Sequence, residues 1–93
     1  MPTLMIGYDL NQPGQDYSRL IERIKSHGRW WHYLDSTWLV VTGLAAMDMV
    51  NDLRQYVDSD DELLVLDVSG DTWAGVGFPQ AAYDWLRQNV AGG

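Results

Sequence analysis

Ninety-three residues suffice for one domain with one modest core, and 46% apolar residues, with five Trp, five Tyr and one Phe, supply the material for it. The absence of cysteine excludes disulfides, thiolate chemistry and Cys-based zinc sites. Six Lys and Arg against thirteen Asp and Glu leave a net charge of −7, a field that repels nucleic acid and anionic membrane surfaces.

No apolar run approaches the roughly 20 residues of a membrane span. Met1-Pro2-Thr3-Leu4 lacks the basic and apolar regions of a signal peptide, so a soluble, cytoplasmic protein is expected. Residues 1–93 read as a single domain without repeats or low-complexity tracts. The nearest approach to a linker is Asn11 to Gln15, whose Pro13-Gly14 signals a loop.

Thr3 to Leu10 reads as the first strand. Leu4, Ile6, Tyr8 and Leu10 alternate with Met5, Gly7 and Asp9, so one face is wholly apolar. Asp16 is placed to cap a first helix, with Tyr17, Leu20, Ile21 and Ile24 as its buried stripe and Gly28 as its stop. Arg29 to Asp35, with Trp30, Trp31, His32 and Tyr33, and Thr37 to Thr42, with Trp38 to Val41, form a hairpin joined at Asp35-Ser36. A second helix spans about Ala45 to Val57, with Ala46, Met49, Val50, Leu53 and Val57 inward. After the polar turn Asp58 to Asp61, Glu62 to Val68 is a strand expected to be at least partly covered on both faces. Trp73 to Phe78 reads as a short, glycine-bearing fifth strand. Pro79 opens a last helix whose stripe is Ala82, Trp85, Leu86 and Val90.

This order predicts an α/β (α+β) domain of the ferredoxin-like kind: βαββαβ with sheet order 4-1-3-2, plus the short fifth strand and a C-terminal helix. Two helices cover one face. The other is solvated, covered by the last helix, or paired with a second subunit.

The topology brings the end of the first strand, at Asp9, close to the starts of the third and fourth, at Asp35 to Thr37 and Asp60 to Glu62. Carboxylates at one end of a sheet can hold a hard cation such as Mg²⁺ or Mn²⁺, which would activate water or stabilise a phosphoryl transition state. Asp9, Asp35 and Asp61 are the candidate metal ligands, with Asp9 the candidate catalytic residue. The competing reading is that Asp9 bonds backbone N–H groups of the following loop and that the acidic turns are solvated. His27 and His32 have no partner at ligand spacing.

Trp30 and Trp31 point to opposite faces of the hairpin, so both cannot enter one core. Such aromatics form either a stacking platform for bases or core plus a dimer surface, and the acidic charge favours the second. Trp31, with Trp73, Val76 and Phe78 of the fifth strand, is therefore the expected dimer interface, an edge strand being a template for another chain.

Met5-Ile6-Gly7-Tyr8-Asp9-Leu10, the helix Tyr17 to Gly28 and the hairpin Trp30 to Thr42 together resemble the small proteins related to the second CRISPR-associated protein, a subunit of the adaptation complex. They are more similar still to the bacterial "SinR family". The resemblance extends to about Phe78. It implies a homodimer in which Asp9 faces its symmetry mate and takes part in metal binding, and in which Trp73 to Phe78 adds to the partner's sheet. Leu10 to Asp16 lacks the basic residues that usually follow the aspartate.

Three functions follow as expectations: a homodimeric domain acting through protein–protein contact, without cofactor; a Mg²⁺- or Mn²⁺-dependent phosphodiesterase using Asp9; or an inhibitor or antitoxin whose acidic surface mimics nucleic acid.

Overall fold

The chain orders as β1 (Thr3–Asp9), α1 (Ser18–Ser26), β2 (Arg29–Leu34), β3 (Thr37–Val41), α2 (Ala46–Leu53), a 3-10 turn (Arg54–Tyr56), β4 (Glu62–Asp67) and α3 (Gln80–Asn89) in a computed structural model that describes residues 1–11 and 16–92. The four strands form one antiparallel sheet in the order β2-β3-β1-β4, the split arrangement of a ferredoxin-like fold. The loop expected around Pro13-Gly14 lies outside the described residues.

The alternation in β1 builds the main core. Leu4 and Ile6 face the helices with Trp38 and Val40 of β3 and Val65 of β4. Against them lie Leu20 and Ile24 of α1 and Met49 and Leu53 of α2, four apolar positions at helical spacing that two short helices bury completely. Burial of each such side chain contributes about 1.5–3 kcal/mol. Asp16, the predicted cap, lies one residue before the observed N-cap Tyr17, and its carboxylate accepts the Ser18 N–H at 2.9 Å. The second helix is shorter than expected, because the backbone tightens into the 3-10 turn after Leu53.

Between α1 and β2 the chain passes so close to the end of β3 that only glycine fits. A Cβ at Gly28 would lie 2.0 Å from the Val41 carbonyl oxygen.

The second face of the sheet is half covered. Ala82 and Leu86 of α3 pack on Trp31 and Leu39, with Met5, Trp73 and Phe78 around them. Trp31 donates its indole N–H to the Ala82 carbonyl at 3.2 Å. Buried Thr3 anchors this layer: its N–H donates to Ser69 Oγ at 2.7 Å, and its hydroxyl donates to the Asn89 carbonyl.

Two expectations are corrected. Trp73 to Phe78 forms no strand: the Trp73 indole N–H bonds the Ala91 carbonyl, its ring stacks on Tyr83, and Gly77 turns the chain with φ of +89°. The segment spends its aromatics on α3 instead of a β ladder. Nor is β4 covered on both sides. Leu63 and Val65 face the main core, whereas Leu64 and Leu66 are 59% and 43% exposed, because α3 lies over the β2–β3 side.

Candidate functional site

β1 ends where β3 and β4 begin. Its register sets Gly7 opposite Thr37 on one side, and Asp9 opposite Glu62 on the other. An open cleft of about 310 Å³ lies among Gly7–Asp9, Ser36–Thr37 and Glu62–Leu64. The topology expected from sequence therefore does bring these strand ends together. Gly7 leaves the floor bare, with no other atom within 4 Å of where a Cβ would sit.

The three candidate carboxylates have different surroundings. Asp9 is exposed, and its carboxylate has no hydrogen-bond or ion-pair partner among the described residues. The capping work falls to Asp61, which accepts N–H bonds from Asn11 and from Asp58, both at 2.8 Å, and the Tyr17 hydroxyl at 2.9 Å. Burial pushes the Asp61 carboxyl upward, but the Asn11, Asp58 and Tyr17 hydrogen bonds together hold it below the usual range. Asp35 contributes its carbonyl, not its carboxylate, as a hydrogen-bond partner of His32 Nε2 at 3.1 Å. Among the described residues no three His, Asp or Glu side chains come together as a metal set. Asp61 is occupied by protein donors, and Asn11 Nδ2 reaches both Glu62 carboxylate oxygens at 3.2 and 3.3 Å. Asn11 is the clasp of this end of the sheet, also donating to the Asp60 carbonyl at 2.7 Å, and no sequence signal marked it.

The expected interface residues are also dispersed. Trp31 is buried under α3 and touches Phe78, their ring centroids 5.5 Å apart. Trp73 and Phe78 are partly buried in the same cluster. Only Val76, 90% exposed, is free to meet a partner. Trp30 points to the other face as expected, 44% exposed beneath the Lys25 ammonium at 5.2 Å.

Apolar side chains stand open on both edge strands, Trp30, Tyr33 and Leu34 on β2 and Leu64 and Leu66 on β4. Leu64 and Leu66 stand on the same face as Met5, beside a groove of about 350 Å³ between the sheet and the 71–78 segment. The sequence predicts at least partial cover for both faces of this strand. Nothing in the Leu63–Leu66 run itself marks the face that α3 leaves uncovered. No helix among the described residues is long and apolar enough to cross a membrane.

Compared with known protein families, with curated proteins and with solved structures, the chain matches none. The resemblance to the CRISPR-associated and SinR proteins therefore rests on the order of elements and the Tyr8-Asp9 strand end alone.

Proposed function

We propose that this chain is a homodimerising domain that acts through protein–protein contact, with the uncovered side of β4 as its contact surface. The observation that carries this reading is the exposure of Leu64 and Leu66, side by side on one face of an edge strand whose pairing with β1 is regular. Large apolar side chains gathered on a strand edge favour association over solvation. The test is the solution mass by sedimentation equilibrium. Wild type is expected to approach twice the chain mass as concentration rises. Leu64→Thr with Leu66→Thr keeps β propensity but removes the apolar stripe, and is expected to stay folded and monomeric. A wild-type protein that remains monomeric at every concentration overturns the reading.

The phosphodiesterase reading stands second. It is favoured by the register that sets Asp9 against Glu62 at the mouth of the cleft. Its test is metal-dependent cleavage that Asp9→Ala abolishes.

A further inference from the structure

We infer that two copies of this chain join edge to edge, β4 against β4 in antiparallel register about Val65, into one continuous sheet. This rests on the dimer reading above and specifies how the dimer is made.

The argument starts from which backbone groups are spent. The Val68 N–H donates to the Thr3 carbonyl, and the Tyr8 N–H to the Ser36 carbonyl. In an antiparallel ladder bonding alternates residue by residue. Even-numbered residues of β4 therefore bond to β1, while the N–H and C=O groups of Leu63, Val65 and Asp67 point away from it. No other described segment pairs with that outer side.

The two edges of the sheet are not equivalent. β2 carries a register shift between Trp31 and Leu34, an irregularity of the sort that blunts an edge. β4 pairs with β1 without interruption from Glu62 to Asp67, and it holds no proline, lysine or bulge. Of the two, β4 alone presents a regular template.

The occupant that fits is a second copy. Opposed residues in an antiparallel pair share a face, so a two-fold axis normal to the sheet must pass midway between the two copies of one residue. Centred on Val65, it sets Leu64 against the other copy's Leu66 and the converse, joining the exposed leucines into cross-strand pairs. Leu63, Val65 and Asp67 then complete a ladder of about six hydrogen bonds. Charge disfavours the register centred on Leu64, and the one centred on Leu66 loses the Leu64–Leu66 pairs. Moving the axis to Leu64 would set Asp61 against Asp67 of the other copy, whereas the axis at Val65 places Glu62 opposite Val68 and Asp67 opposite Leu63.

Amide hydrogen exchange on wild-type protein, read by NMR at low and high concentration, tests this without any variant. The N–H groups of Leu63, Val65 and Asp67 are expected to exchange freely in the monomer and to become protected as the dimer fills, while those of Leu64 and Leu66 are protected throughout. A second arm uses Asp67→Pro, which removes an outward donor at a position where an edge strand tolerates proline. Dimerisation is expected to weaken on the order of tenfold or more, while Asp67→Asn, which keeps the N–H, dimerises like wild type. A dimer whose Leu63, Val65 and Asp67 amides stay exposed, or that survives Asp67→Pro, overturns the edge-to-edge arrangement but leaves the dimer reading standing. A monomer at all concentrations overturns both.

Discussion

Arg23 and Asp52 meet through two hydrogen bonds, the guanidinium Nε and Nη2 each 2.8 Å from a carboxylate oxygen, and so tie α1 to α2 over the main core. His27 Nε2 reaches the same carboxylate at 2.7 Å. The Arg23 hydrogen bonds, working against partial burial and helped by His27, hold the Asp52 carboxyl down to about 2. A carboxyl lowered in the folded state adds stability above its unfolded value and loses it as pH falls through the folded one. Arg23 is partly exposed, so solvent screening reduces the contribution to about 1 kcal/mol. Asp52→Asn is expected to lower unfolding free energy by that amount at neutral pH. The difference from wild type should shrink as pH drops from 3.8 towards about 2, measured by denaturant titration at each pH.

Gly28→Ala is expected to be among the most damaging single changes. Its new Cβ would meet the Val41 backbone oxygen at 2.0 Å, and neither the hairpin nor β3 can yield without opening the sheet. A loss of about 3 kcal/mol or more in chemical denaturation is expected. Gly7→Ala, at a position with open space around it, should cost far less.

Trp30 and Trp31 adjoin in sequence but differ in what they hold. Trp31→Ala removes a buried ring and the bond to Ala82 that seats α3, and should cost about 3–5 kcal/mol. Trp30→Ala removes a half-exposed ring and should cost about 1 kcal/mol. Thermal or denaturant unfolding of the two variants tests whether the hairpin's aromatics serve the chain's own core.

Salt separates the dimer from binding to a basic partner. Each copy carries −7, so self-association works against like-charge repulsion, which is screened within about 10 Å at 0.1 M salt. Sedimentation at low and high ionic strength is expected to give tighter association at high salt. Capture of a basic protein, as an inhibitor would do, would weaken under the same change.

Asp9→Ala is expected to leave stability within about 0.5 kcal/mol of wild type, since that carboxylate bonds nothing described. Mixed RNA and DNA incubated with Mn²⁺ or Mg²⁺ should remain intact with either protein. Cleavage by wild type that the variant loses would move the phosphodiesterase reading to the front.

Local patterning set the four strands, the three helices and the order of the sheet, though not the limits of α2 or the form of Trp73 to Phe78. Period-two alternation in Leu4, Ile6 and Tyr8, helical spacing in Leu20 and Ile24 and in Met49 and Leu53, the helix stop at Gly28 and the helix start at Pro79 are local signals that the backbone obeys directly. Short antiparallel connections then leave few ways to lay four strands side by side. The same logic placed Asp9 beside the starts of β3 and β4. Tertiary structure alone decided what those neighbours do. Whether Asp61 or Asp9 takes the loop's N–H groups depends on where Asn11 and Tyr17 arrive, dozens of residues away in sequence from Asp61. Whether Trp73 and Phe78 extend a sheet or pack on a helix depends on the competition between ladder hydrogen bonds and burial against Tyr83 and Trp31. And Leu64 and Leu66 read as core in the chain because an apolar run carries no record of which side is covered; only the placement of α3 over the far half of the sheet leaves them in water.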